Sequence, residues 1–224
     1  MIGLLPTVGG KSLTYQLAAM LQPGITLVID PLRSLMKDQV DNLVKAGIDA
    51  CALINSTQLK AEKDYALHQL ISNETLLFFV SPERLMMEGF RMPLHQMRAH
   101  TGFAYCVIDE VHCVSEWGHD FRTAYLALGR NAVEHLPYIG SDKKIPLFGL
   151  TATASYDVLA DVERELLLHD EPEAVVSAEY TGRDEIFFEV VDVPVKFDTY
   201  DLNINQRNNI LFTVKPIGSP KGCQ

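Results

Sequence analysis

Cysteine is scarce and scattered in this chain: Cys51, Cys106, Cys113 and Cys223 form no C-x-x-C pair, which speaks against a zinc framework and against a disulfide scaffold. Cys51 and Cys106 lie in apolar, strand-like runs and read as core. Long hydrophobic runs are also missing. None approaches the roughly 18 to 20 residues of a membrane span, and Met1 to Leu5 is too short for a signal peptide. A cytoplasmic protein with no membrane partner is the expectation. Positive charge is short as well, with 19 Lys and Arg against 29 Asp and Glu for a net charge of −10. Phosphate contacts need Lys and Arg, so a uniformly basic nucleic-acid binder is excluded. The deficit is uneven: residues 1–150 hold 13 basic and 15 acidic residues, a difference of −2, whereas 151–224 hold 6 and 14, a difference of −8. The acidity belongs to the tail, and the nearly neutral first part has room for a local basic track. No internal repeat or low-complexity segment is present.

What the chain does have is length and patterning. At 224 residues with 47% hydrophobic content, it can bury a sizeable core, enough for one full domain and a remainder. Apolar runs at Thr26–Ile29, Ala50–Ile54, Leu76–Val80, Ala104–Ile108 and Ile145–Leu150 read as buried strands of a mainly parallel sheet. Between them Leu32, Leu35, Met36, Gln39, Val40 and Leu43 recur at helical spacing, as do Leu59, Lys63, Ala66, Leu67, Leu70 and Ile71. Asp157–Leu168 repeats the helical pattern, and Glu185–Val193 reads as one more strand. After Pro194 the pattern dissolves into Asn, Pro and Gly. The reading is an α/β fold with helices on both faces of the sheet. Residues 1–190 form the first domain, and 191–224 form a linker and the start of a second.

The run from Val107 to Arg122, VIDEVHCVSEWGHDFR, carries the most chemistry. An apolar strand ending in two carboxylates delivers Asp109 and Glu110 to the crevice at the sheet's C-terminal edge. Asp109 is suited to hold Mg²⁺, and Glu110 to orient and deprotonate an attacking water. Asp-Glu alone is more often a strand end at solvated acids; its companions change that judgement. Near the start, Pro6-Thr7-Val8-Gly9-Gly10-Lys11-Ser12 precedes a helical stretch, Leu13 to Leu21. Backbone N–H groups around Thr7, Gly9 and Gly10 can cradle the phosphates of ATP, Lys11 can reach the terminal ones, and the Ser12 hydroxyl can ligate Mg²⁺. Leu5 stands where the strict pattern has its first Gly, and Val8 is a further departure. A third companion, Gly149-Leu150-Thr151-Ala152-Thr153-Ala154-Ser155, follows a strand and precedes a helix. Thr151 and Thr153 serve there as a relay to the acidic pair, as an ordinary helix cap, or as both.

Taken together, TVGGKSLTYQL, DPLRSLMKDQV, VSPERL, DEVHCVSEWGHDFR and GLTATAS resemble the first RecA-like motor domain of the RecQ-family ATP-dependent DNA helicases, DExH-type members of superfamily 2. The resemblance runs along residues 1 to about 190, and WGHDFR is its most specific part. It implies ATP and Mg²⁺ as cofactors and single-stranded and forked DNA as partners. The complete enzyme would translocate 3′ to 5′ and unwind duplexes, with roles in DNA repair and recombination. The catalytic set it implies is Lys11, Asp109, Glu110 and His112. Its location would be cytoplasmic, and nucleoid-associated in a bacterium. A second motor domain of the same protein would supply an arginine finger. The Gly-Lys-Ser turn starts too near Met1 to leave room for the family's adenine-recognising segment, so unwinding by this chain alone is not expected.

The resemblance also marks a DNA track. Pro31, Arg33 and Ser34, and Pro82 and Arg84, stand at strand-to-helix junctions where N–H groups and hydroxyls meet a phosphate backbone. Arg33 replaces an aliphatic residue and is either a phosphate contact or a surface charge. In the aromatic loop Trp117 and Phe121 either stack on bases, at about 1 to 3 kcal/mol each, or lock the loop. His119 and Arg122 contact either phosphate or the ATP site. His112 bridges this loop or Thr151 to the phosphate site, or is a structural histidine. Two rival readings stand beside the motor: a degenerate nucleotide-binding interaction module without helicase activity, and a P-loop enzyme acting on a small molecule.

Overall fold

The computed structural model describes residues 1–6, 10–95, 97, 102–116, 124–139, 144–168 and 174–177, together with the backbone of 186–192 and 210–216. The chain divides into two compact units, Met1–Tyr180 and Thr181–Gln224.

The first unit is built on a seven-stranded sheet. Its strands are β1 (Ile2–Leu4), β2 (Ile25–Ile29), β3 (Cys51–Ile54), β4 (Leu77–Val80), β5 (Phe103–Ile108), β6 (Leu147–Thr151) and β7 (Val175–Ser177). They lie in the order β3-β4-β2-β5-β6-β1-β7, and every pairing is parallel. The helices between them are α1 (Lys11–Leu21), α2 (Arg33–Lys45), α3 (Lys60–Ile71), α4 (Glu88–His95), α5 (Cys113–Glu116), α6 (Leu128–His135) and α7 (Tyr156–Glu165), with a 3-10 turn at Pro82–Met86.

Side-chain alternation along the strands divides the interior into two cores. Val28, Leu77, Phe79 and Val107 point to one face, where Tyr15 and Ala19 of α1 and Met36 and Leu43 of α2 cover them. Leu27, Ile29, Phe78, Val80, Cys106 and Ile108 point to the other, against Ala66 and Leu70 of α3, Leu94 of α4, Ala132 of α6 and Val162 of α7. Because β2 is buried along its whole length, both its faces must be apolar, and its sequence is a continuous rather than an alternating apolar run. All five strands expected in this unit are present to within a few residues.

Three strands go beyond that expectation. β1 forms beside β6, with Leu4 opposite Thr151, and β7 lies on its other side. In the second unit, β8 (Ile186–Asp192) pairs antiparallel with β9 (Ile210–Pro216). The last of these lies in the stretch after Pro194 where the sequence pattern offers no element.

Candidate nucleotide and nucleic-acid site

Parallel strands put all their C-terminal ends on one edge, and the candidate residues gather there. Gly10 adopts the left-handed backbone region (φ 77°) and starts α1, a conformation that glycine takes without a Cβ penalty. Lys11 follows as the first helical residue, and its Nζ donates to Glu110 Oε1 at 2.7 Å. This contact joins positions 99 apart in sequence and closes the Gly-Lys-Ser turn onto the acidic pair.

Asp109 ends β5 in a nearly buried position, its N–H bonded to the Ile29 carbonyl at 2.9 Å. Burial raises the Asp109 carboxyl above its ordinary value, opposed by the Glu110 N–H it accepts at 2.9 Å and by the Lys11 charge. Glu110 itself has φ 48°, a region that non-glycine residues rarely occupy and that concentrates at functional turns. The turn presents its carboxylate to two partners. Oε1 meets Lys11, and Oε2 lies 3.4 Å from His112 Nδ1. His112 Nδ1 is also 2.8 Å from the Thr151 hydroxyl. That hydroxyl donates to the Thr153 carbonyl at 3.0 Å and accepts the Thr153 N–H at 3.2 Å. Thr151 is buried and Thr153 exposed; both stand with the acidic pair at the end of β6, away from the groove described next.

The second group, Pro31, Arg33, Ser34, Pro82 and Arg84, lies at the ends of β2 and β4. Pro31, Arg33 and Arg84 line a groove of about 220 Å³ with Ser56, Ser81, Met87 and one acid, Glu83. Arg33 donates to Ser56 Oγ at 2.7 Å, and Arg84 to the Asn55 carbonyl at 3.3 Å. Pro82 is buried beneath the 3-10 turn, and Ser34 is exposed. Thr7, Val8, Gly9, Trp117, His119, Phe121 and Arg122 lie outside the described residues.

The structure gives places in the site to residues that the sequence did not single out, two of them within DPLRSLMKDQV. Asp30, at the end of β2, is 2% exposed. Burial raises its carboxyl to about 7 despite the Leu32 N–H it accepts at 2.8 Å, and the charges of Asp109 and Glu110 push the same way. It ends an apolar run as Asp109 does, a signal that was present in the sequence. Gln39 of α2 donates to Ser12 Oγ at 2.7 Å and accepts from Gln16 at 3.1 Å, tying the helix that begins at Arg33 to the helix that begins at Lys11. A glutamine in an apolar helical register was its sequence mark. Asn55 closes a turn by accepting from the Thr57 and Gln58 N–H groups at 3.0 and 3.2 Å, which fixes Ser56 for Arg33. A larger apolar cavity of about 540 Å³, lined by Ala18, Tyr105, Val107 and Phe148 among others, lies apart from these residues.

A part-buried lysine-carboxylate contact at the edge of a seven-stranded parallel sheet is the arrangement of a RecA-like domain. The family model described as DEAD/DEAH box helicase matches residues 1–162, and the chain belongs to that family. Within it the chain resembles the RecQ DNA helicases. It is 40% identical over 222 residues to the ATP-dependent DNA helicase RecQ of Bacillus subtilis, covering 94% of this chain and 34% of that protein. It is 41% identical over 165 residues to RecQ of Haemophilus influenzae, covering 74% and 25%. The putative ATP-dependent DNA helicase Q1 of Caenorhabditis briggsae is 42% identical over 199 residues, covering 86% and 30%. The chain thus spans about a quarter to a third of the length of these relatives. Among solved structures, the DUF1998 helicase MrfA bound to DNA and AMPPNP superimposes with a TM-score of 0.59 at 19% identity, covering 81% of this chain and 25% of that one. The Pyrococcus furiosus Hef helicase domain gives 0.52 at 17%, covering 79% and 34%. At those identities the likeness establishes the fold.

Among the described residues no helix is long and apolar enough to cross a membrane.

Proposed function

We propose that this chain is the ATP-binding motor domain of a RecQ-like DNA helicase, coupling ATP hydrolysis to movement along single-stranded DNA and 3′ to 5′ unwinding of forked duplexes in the complete protein. One observation carries the reading: Glu110 is held between Lys11 and His112, with His112 tied in turn to Thr151. Such a carboxylate is inactive as a base while Lys11 neutralises it. Terminal phosphates seated on the Gly10 turn compete for the same ammonium. As Lys11 turns to them, Glu110 loses its cation and its Oε1 is free to take a proton from water. His112, with Nδ1 3.4 Å from the carboxylate and 2.8 Å from the Thr151 hydroxyl, links the state of Glu110 to Thr151.

The oxygen donors Asp109 and Ser12 fit Mg²⁺, which takes few protein oxygens and completes its shell with phosphate and water; the buried Asp109 carboxyl, with one oxygen bonded only to a backbone N–H, is suited to a hard cation. When bound, the ion neutralises charge that develops on the phosphates. The groove lined by Pro31, Arg33 and Arg84, with Ser34 and Pro82 at the same strand ends, is the proposed path of the DNA backbone. Trp117, His119, Phe121 and Arg122 are proposed to report its occupancy to the acidic pair. Residues from about 191 onward are proposed as a linker and the beginning of a second domain. The presence of Lys11, Asp109 and Glu110 in one constellation favours the motor over an interaction module without chemistry.

ATP hydrolysis by the full-length protein, with and without single-stranded DNA, tests the proposal. Stimulation by DNA is expected; a rate indifferent to DNA contradicts it.

A further inference from the structure

Beside the Arg33 groove lies a second cavity, of about 420 Å³, between the start of α3 and the start of α4. Its rim carries Lys60, Lys63 and Arg84, and its floor is formed by Leu67, Met87 and the buried Phe90. Arg84 and Met87 line both cavities, so the two adjoin. The Arg84 guanidinium bridges them, donating to the Asn55 carbonyl at 3.3 Å and to Met87 Sδ at 3.4 Å.

Charge distinguishes the place. In a chain of net charge −10, three cations surround this hollow. Among the described residues none of them has a carboxylate within ion-pair distance, although Asp64 stands on the same rim. Lysines at the start of a helix sit at the unfavourable end of its dipole, so local helix stability does not account for Lys60 and Lys63. A concave site with a cationic rim and an apolar floor matches the two halves of a nucleotide, phosphate on the ammonium groups and base on the floor.

We propose that this cavity seats one unstacked nucleotide of the single strand whose backbone occupies the Arg33 groove, with its phosphate on Lys60 and Lys63 and its base against Leu67, Met87 and Phe90. The inference rests on the DNA reading proposed above and adds to it a site on α3 and α4.

Gly89 supplies a clean test, because it lines the cavity and a Cβ added there meets open space. Gly89→Leu fills the hollow without altering charge, and it places a better helix former in α4. Fluorescence anisotropy at low salt would measure binding of oligothymidylates of increasing length to the parent, Gly89→Leu, Lys60→Ala/Lys63→Ala and Arg33→Ala. The parent should gain affinity in a step as the strand grows long enough to reach the second cavity. Gly89→Leu should lose that step several-fold while binding short oligomers as the parent does. The double lysine variant should lose it too, with the slope of log affinity against log salt reduced by about 0.7 for each phosphate contact removed. Gly89→Leu binding every length as the parent does would overturn the inference, even where the lysine variant is weakened. That outcome, with Arg33→Ala impaired, leaves the DNA reading standing. A parent that binds no oligomer, or an Arg33→Ala protein equal to it at every length, overturns the DNA reading and this inference together.

Discussion

Asp30 shows what close packing does to a single group. Its carboxyl sits 2% exposed at the end of β2, near Asp109 and Glu110, and is raised to about 7. The folded chain therefore holds this proton more tightly than the unfolded chain, whose Asp titrates near 3.9. Between about pH 4 and pH 7 the unfolded state binds fewer protons, so stability falls as pH rises through that window. Below it both states are protonated and Asp30 contributes nothing; above it the burial penalty is fully present. Asn at this position keeps an oxygen for the Leu32 N–H and removes the charge. Asp30→Asn should melt several degrees above the parent at pH 8, with the gap closing towards pH 4. A variant that melts lower at pH 8 would contradict this account. The sequence marked Asp109 and Glu110 as functional because other motifs accompanied them. Asp30 ends its apolar run in the same way, but as one acid before Pro31 it carried no such company. Gln39 is a similar case: its spacing belonged to a helix face, and only the fold shows that this face meets Ser12.

At the level of elements, legibility followed burial and length. β2, β4 and β5 are covered on both faces, so their sequences are continuous apolar runs that read as strands. β1 and β7 have three residues each, too few to show a period; β1 forms on the edge that β6 offers, and β7 on the edge that β1 offers in turn. α4 contains Pro93, which hides an eight-residue helix from any propensity argument. β9 is flanked by Asn, Pro and Gly, and it is defined by pairing with β8. The packing of α6 onto α7 depends on one missing side chain. A Cβ at Gly129 would collide with the Glu165 carbonyl oxygen and crowd Leu166. That obstacle is backbone and cannot rotate away. Gly129→Ala should destabilise the domain by about 1 to 3 kcal/mol, despite the better helix propensity of alanine. Chemical denaturation would measure it, and an unchanged midpoint would show that the helices can separate at little cost.

At the scale of the whole first unit, one sheet edge carries the proposed nucleotide site and the proposed DNA groove side by side. Lys11, Asp109, Glu110, His112 and Thr151 occupy the ends of β5 and β6 and the start of α1. Arg33, Ser56 and Arg84 occupy the ends of β2, β3 and β4. α2 spans them, from Arg33 at its first residue to Gln39 on Ser12. On the proposed reading, phosphate on the Gln39 side of α2 and a DNA strand at its Arg33 end act on the same element. Sequence motifs named most of the residues on both sides, since each motif sits at a strand-to-helix junction; the link through Gln39 required the fold.

We propose Glu110 as the base that activates water once phosphates draw Lys11 away from it. Replacement by Gln keeps the shape and loses the proton acceptor. In the full-length protein with Mg²⁺ and saturating single-stranded DNA, Glu110→Gln should bind ATP at least as well as the parent, because Lys11 is no longer held by a carboxylate, and should lose hydrolysis by about 100-fold or more. Measuring the nucleotide dissociation constant and the DNA-stimulated hydrolysis rate on the same preparation decides the matter: retained binding with lost turnover is the predicted result, and hydrolysis at the parent rate would contradict the account.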